Sequence, residues 1–221
     1  MKKKLLIIGG NSKIGTKLRL LIKKDYEIFF TSRKASSKSI FSELDDIKKI
    51  DISINNINLK KIKFDAVIFL QGELVGKSLR NFRDEELIKN FNINFLSVLF
   101  LLKKLNFAKK SCVIFVSSIS GRKGSFDPIY ASAKAALINL TKSLATWQAP
   151  NQHFLCLCPG HISNTKMSNM LSKKRKQFHL KQNPNKKFLS PKEFANIIQD
   201  LLKPHWKQAN GAIIDINGGV Y

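Results

Sequence analysis

Acidic residues are scarce in this chain: 15 Asp and Glu stand against 39 Lys and Arg in 221 residues, a formal net charge of +24 at pH 7. Arginine is scarce as well, with six of the 39 basic residues. A protein built to read nucleic acid is expected to favour arginine and to gather its charge beside aromatics. Here 33 lysines spread over most of the chain alongside 25 Ile and 18 Asn. All three residues have A/T-rich codons, so genomic base composition and a nucleic-acid function compete to explain the charge. The lack of a localised footprint favours base composition, and no specific nucleic-acid partner is expected. Under either explanation the charge draws anionic ligands toward the protein.

Long hydrophobic runs are missing too. The longest, about Phe95 to Leu102, falls far short of the ~20 residues a membrane helix needs, so a soluble protein without a membrane partner is expected. Met1-Lys2-Lys3-Lys4 resembles the basic start of a signal peptide, but the apolar run Leu5 to Ile8 stops at Gly9-Gly10, too soon for secretion. A cytoplasmic location follows as the expectation. The three cysteines, Cys112, Cys156 and Cys158, each lie in an apolar run that reads as a buried strand. Cys156 and Cys158 share a strand face without completing a ligand set, so no metal site is expected. What remains is an ordinary globular composition, 43% hydrophobic and 24% charged, at the length of one α/β domain spanning residues 1–221.

Strand and helix patterns alternate along that length. Leu5 to Ile8 is a short apolar run ended by glycines, as in a strand buried on both faces. Ile14, Leu18, Leu21 and Ile22 then recur at helical spacing. Further strands are predicted over Tyr26 to Thr31, weakly before Asp51, and over Asp65 to Leu70, Cys112 to Val116, Phe154 to Cys158 and Gly211 to Ile216. Helices are predicted from the acidic turn at Asp84 to about Lys104, from Ile129 to about Trp147, and from Pro191 to about Leu202. Unbroken alternation predicts an α/β fold, a Rossmann-type doubly wound parallel sheet in one domain. Such sheets bind ligands beyond the carboxyl ends of their strands.

Two of those loops point to a dinucleotide. Gly9-Gly10-Asn11-Ser12-Lys13-Ile14-Gly15 follows a strand and opens a helix, where glycines allow a pyrophosphate to approach and the helix N-terminus meets its charge. A tight strand-to-helix turn is the plainer reading of the same glycines. After strand two, an adenosine ribose is read by an acid or a 2′-phosphate by a cation. This chain has Thr31-Ser32-Arg33-Lys34 and no acid, which favours NADP(H) over NAD(H) and gives Ser32 and Arg33 to its recognition. The third constellation is Ser118 at a strand end, with Tyr130 and Lys134 opening a helix. Four residues apart, Tyr130 and Lys134 share a helical face. A nearby ammonium is expected to lower the phenol pKa and make Tyr130 a usable proton donor.

With these residues in place the sequence resembles the short-chain dehydrogenase/reductase family along nearly its whole length. Gly9 to Gly15 looks like the cofactor loop, and Asp51-Ile52-Ser53 like the adenine-contacting segment after strand three. Phe69-Leu70-Gln71-Gly72 stands where the family has Asn-Asn-Ala-Gly. Asn94, in Asn92-Ile93-Asn94-Phe95, resembles the asparagine that holds a water in the proton relay. Ser118 with Tyr130-xxx-Lys134 matches the catalytic set. Pro159-Gly160-His161-Ile162, with Thr165, resembles the loop over the nicotinamide, and Gly218-Gly219 the C-terminal turn. The chain departs from the family at Lys13, which replaces a loop glycine, at Gln71, which replaces a small alanine, and at Ser163-Asn164-Thr165, which carries one extra residue.

The resemblance implies hydride transfer between a nicotinamide and a small-molecule carbonyl or secondary alcohol, in the manner of a 3-oxoacyl-carrier-protein reductase. Ser118 would hold the substrate oxygen, Tyr130 would donate the proton, Lys134 would tune Tyr130 and hold the nicotinamide ribose, and Asn94 would anchor a water. It also implies a homodimer or homotetramer, formed through the helices that run from Asp84 and from Tyr130. The family builds its substrate lid at about 161–190; here that segment holds Lys173, Lys174, Arg175, Lys176, Lys181, Lys186 and Lys187 and no acid. One reading is a substrate carrying phosphate or another anion; the other is a solvated loop in a lysine-rich protein. Two rival functions stand beside the enzyme: a catalytically silent cofactor-binding regulator and a basic nucleic-acid binder.

Overall fold

The computed structural model describes residues 2–32, 40–41, 44 and 61–221. Strands β1 (Lys3–Ile8), β2 (Tyr26–Ser32), β3 (Ile40–Phe41), β4 (Lys63–Phe69), β5 (Asn106–Val116), β6 (Gln152–Pro159) and β7 (Ile213–Ile216) form one sheet. Its order is β3-β2-β1-β4-β5-β6-β7, and every pairing is parallel. From β1 the chain fills one side of the sheet, then returns to fill the other, so the direction reverses between β1 and β4. That reversal is where a doubly wound sheet opens a crevice. The strand predicted to end near Asp51 falls outside the described residues, as do Arg33, Asp51 and Ile52.

Register decides where the loops emerge. Ile8 pairs with Phe69, Phe69 with Phe115, and Val116 with Leu157. The residues that follow these strands, Gly9, Leu70, Ser117 and Gly160, therefore line one edge. The apolar centres of β1, β4, β5 and β6 are buried on both faces, which gives the sheet two cores. On one face Phe64, Phe69, Phe115, Cys156 and Cys158 pack with Val98, Leu101 and Leu137. On the other Leu5, Ile7, Ile68, Ile114 and Leu155 pack with Leu18, Phe194 and Ile198. All three cysteines are free thiols on strands, as expected.

Each helix start has a local cause. Ser12 caps α1 (Lys13–Ile22) by accepting the Gly15 N–H at 3.0 Å. The expected continuous helix from Asp84 is instead α2 (Asp84–Phe91), a π turn (Asn92–Leu96) and α3 (Ser97–Lys104). Polar side chains interrupt it: the Asn94 amide donates to Asn90 O at 2.8 Å and the Ser97 hydroxyl to Ile93 O at 2.9 Å. Both carbonyls thus have side-chain partners where an α-helix would use backbone N–H groups alone. Downstream come α4 (Ile119–Lys123), α5 (Pro128–Trp147), α6 (Lys166–Met170), α7 (Lys173–Gln182) and α8 (Pro191–Leu201). A capping box of Ser190 and Glu193, with Pro191 in the first turn, starts α8. The segment from Gly160 to Lys192 therefore carries two short helices. Among the described residues no helix is long and apolar enough to cross a membrane.

Candidate active site

The glycine loop is shaped by close approach. Gly9 has φ +80, and a Cβ on Gly15 would lie 2.5 Å from Gly10 O, so only glycine lets α1 sit this near the loop. Gly9 N–H donates to Thr31 Oγ1 at 3.0 Å, and Asn11 Nδ2 donates to Ser32 Oγ at 2.6 Å, tying the loop to the end of β2. Ser32 is buried there, while Lys13 is exposed on the first turn of α1. Beside the loop a Cβ on Gly9 would lie 3.3 Å from Gln71 N. Gln71 is buried, and its Oε1 has no hydrogen-bond partner among the described residues. A crevice that needs glycine walls and leaves a buried acceptor open fits a dinucleotide.

Ser118, Tyr130 and Lys134 come together at the mouth of β5. Lys134 is buried, and its Nζ donates to Val116 O at 2.9 Å and to Gln71 O at 3.2 Å, bridging the ends of β5 and β4. It lies 5.8 Å from the centre of the Tyr130 ring. Burial lowers its pKa to about 8. The Ser118 hydroxyl accepts the Ser120 N–H at 3.1 Å and lies near enough to the Tyr130 phenol to act on its pKa. Burial pushes the phenol up to about 12; the Ser118 hydroxyl pulls the other way, and Asp127 adds a smaller upward push. The expected lowering of the Tyr130 pKa by Lys134 is therefore corrected. Loss of water outweighs every local favour, and two Lys134 hydrogens point at carbonyls.

Around this trio the structure places residues that spacing did not reveal. Asp127 caps α5 by accepting the Tyr130 N–H at 3.0 Å through Oδ1, while Oδ2 accepts Gly76 N–H at 2.8 Å and Val75 N–H at 3.2 Å. One buried carboxylate thus fixes both the Tyr130 backbone and the loop after β4. Its signal was an Asp followed by Pro128 at a helix start. The Ser117 hydroxyl holds Lys134 O at 2.7 Å. Asn94 is fully buried: Oδ1 accepts Glu73 N–H at 3.1 Å, and Nδ2 donates to Glu73 O at 2.9 Å as well as to Asn90. A Cβ on Gly72 would meet Lys134 Nζ at 3.3 Å, Asn94 Oδ1 at 3.4 Å and Met167 Cε at 3.4 Å. Gly72 thus marks where the Lys134 and Asn94 side chains meet α6.

The loop after β6 is anchored as a roof. Gly160 N–H donates to Ile216 O at 3.0 Å, and a Cβ there would lie 3.0 Å from Asn217 Cα. Ile162 bridges to Leu189, and Thr165 caps α6 by accepting the Ser168 N–H at 3.1 Å. The extra residue is absorbed at Asn164, whose φ is 56. His161 Nε2 lies 3.0 Å from the buried Ser168 hydroxyl.

Comparison with known proteins agrees with this geometry. The family profile described as Enoyl-(Acyl carrier protein) reductase matches residues 31–221. The 3-oxoacyl-acyl-carrier-protein reductase FabG of Aquifex aeolicus is 30% identical over 198 residues, 88% of this chain and 75% of its own length. The bifunctional ribulose 5-phosphate reductase/CDP-ribitol pyrophosphorylase Bcs1 of Haemophilus influenzae is 29% identical over 160 residues, 70% of this chain and 33% of that protein. A crystal structure of a short chain dehydrogenase family protein from Francisella tularensis superposes with a TM-score of 0.89 at 22% identity, covering 100% of this chain and 99% of that one.

Proposed function

The chain belongs to the short-chain dehydrogenase/reductase family of NAD(P)-dependent oxidoreductases, and from that premise we propose that it is an NADP(H)-dependent carbonyl reductase using Ser118, Tyr130 and Lys134. The observation that carries this reading is the buried Tyr130, with Lys134 Nζ 5.8 Å from its ring centre and the buried Ser118 acting on the phenol. A phenol pushed up to about 12 holds its proton at neutral pH. That state suits donation to a carbonyl oxygen as it gains negative charge.

Reduced nicotinamide, when bound, would supply the hydride. Gly9, Ser12, Lys13, Ile14 and Gly15 would hold its phosphates, Pro159, Gly160, Ile162 and Thr165 the nicotinamide end, and Gln71 and Gly72 the part between. Ser118 holds the substrate oxygen and turns it toward Tyr130. An ammonium has three hydrogens; Gln71 O and Val116 O take two from Lys134, leaving one for a ribose hydroxyl. Asn94 uses its amide to fix Glu73, and its carbonyl keeps a second lone pair for a relay water. Asp51 and Ile52 serve the adenine, and Arg33 reads the 2′-phosphate, the strand-two loop having no acid.

The FabG relative supports a 3-oxoacyl thioester as substrate; the Bcs1 relative supports a phosphorylated ketose. The assembly is a homodimer or homotetramer in the cytoplasm, and exposed Ile88 on α2 and Trp147 on α5 suit a subunit interface. Fluorescence titration with NADPH and NADH tests the cofactor without a guess about substrate. Tighter NADPH binding, reversed by Arg33→Gln, is the expected result. NADH preference would remove that role from Arg33. Binding of neither would count against the reductase and the cofactor-binding regulator alike and leave the nucleic-acid binder, which DNA binding with a steep salt dependence would single out.

A further inference from the structure

Not all the positive charge of the roof lies over the crevice. Lys173 and Lys174 are exposed on α7, and Lys187 pairs with Glu193 at 2.6 Å. A smaller group converges from three elements at the mouth between β5 and β6. His161, directly after Pro159-Gly160, packs against Phe188 with ring centres 4.2 Å apart and lies nearly parallel to His179 of α7 at 6.2 Å. Arg175 of α7 covers the Phe126 ring at 5.6 Å, on the loop between Ser118 and Tyr130. Lys123 ends α4, which Ser118 begins, and its Nζ donates to Tyr221 O at 3.2 Å. Lys176 is half-buried beside His161.

These groups repel one another. After burial, His179 and Lys176 hold the His161 pKa down, to about 4, while Arg175 and Lys123 depress His179 in the same way. Neither Arg175 nor Lys176 pairs with a carboxylate among the described residues. At neutral pH the two depressed histidines are uncharged and Lys123, Arg175 and Lys176 are the fixed cations; a dianion placed among them would offset their repulsion and favour protonation of both imidazoles. The cluster borders the crevice: Ser168, bonded to His161, neighbours Met167, which reaches the Gly72 position beside Lys134.

We propose that Lys123, His161, Arg175, Lys176 and His179 form an anion site at the mouth of the crevice that takes a phosphate ester group of the substrate. The proposal rests on the reductase reading above and deepens it by locating the specificity of the roof. It assigns no part to Lys173 and Lys174. The site supplies fixed charge, with two histidines that take up protons as the anion enters.

The four histidines, His153, His161, His179 and His205, give a direct readout. Proton NMR of the whole protein follows each imidazole pKa with inorganic phosphate, against sodium chloride at equal ionic strength. Phosphate should raise the pKa of His161 and His179 and leave His153 and His205 in place. Arg175→Gln with Lys176→Gln should abolish that response, while Lys173→Gln with Lys174→Gln retains it. Equal movement of all four histidines, or of none, overturns the proposal. Turnover supplies the second arm, with the 3-oxobutanoyl thioesters of coenzyme A, which carries phosphates, and of N-acetylcysteamine, which carries none. The Arg175/Lys176 pair should raise KM for the first about tenfold or more and leave the second unchanged. An unchanged KM for the coenzyme A thioester would also overturn the site, whereas failure to reduce either thioester counts against the proposed substrate and leaves the NMR arm to decide.

Discussion

On the floor of the crevice Tyr130 and Lys134 are buried and tied to backbone, whereas on its roof α7 has no buried residue and presents mainly cations. The floor pays in desolvation: the phenol rises to about 12 and the ammonium falls to about 8. Most roof charges keep their water, and within the His161 cluster only His161 and Lys176 are half-buried. The proposed proton transfer would need donor and acceptor held at fixed distance, which packing into the sheet edge supplies. The proposed choice of an anionic substrate would need charge within reach of solvent, which the exposed cations of α7 supply.

Apart from loss of Tyr130 itself, the largest separation of floor from roof should come from Ser118→Ala. Removing the hydroxyl that holds the substrate oxygen should lower kcat about 10² to 10³-fold. Cofactor Kd should stay unchanged, and stopped-flow measurement of NADPH oxidation checks both. Asp127→Ala comes next, because one carboxylate accepts three backbone N–H groups on two segments. Unfolding by urea should show a loss of about 2 kcal/mol with an unchanged m value. A matching change at Lys173 should be within about 0.5 kcal/mol.

Much of the floor was legible because its signals are local. Tyr130 and Lys134 are four apart on one helix, Gly9 to Gly15 follows a strand directly, and the buried strands are short apolar runs. Asp127 was missed although it stands before Pro128, since its reach to Val75 and Gly76 spans 51 and 52 residues. The π turn was hidden because Phe91, Phe95 and Leu99 keep helical spacing through it. The direction of the Tyr130 shift was misread for a third reason: spacing places Lys134 nearby, but only the fold shows how little water remains. The roof was legible as composition alone. The 33 Lys of the whole chain do not reveal that Lys176 is half-buried and acts on His161 while Lys173 is exposed.

Smaller effects sharpen the contrast further. Gly15→Ala would place a Cβ 2.5 Å from Gly10 O and push α1 away from the phosphate cradle. Calorimetry should show NADPH affinity weakened about tenfold, on the order of 1–3 kcal/mol for such overpacking. The mildest test is the pH dependence of stability. Lys134 falls from 10.5 to about 8 on folding, so the unfolded chain binds more protons between those values and stability rises with pH there. Tyr130 rises from 10.0 to about 12, so the folded chain binds more protons across that interval and stability falls. The Tm of the wild type, taken relative to Lys134→Met, should climb from pH 8 toward 10; relative to Tyr130→Phe it should drop above pH 10.

The measurement that bears most directly on the floor is turnover of Tyr130→Phe, with NADPH binding followed in the same preparation through Trp147 and Trp206. Full NADPH affinity with kcat reduced about 10² to 10⁴-fold is the result expected of a lost proton donor. A variant that binds NADPH and retains half the wild-type rate would contradict the assignment of Tyr130 as the acid.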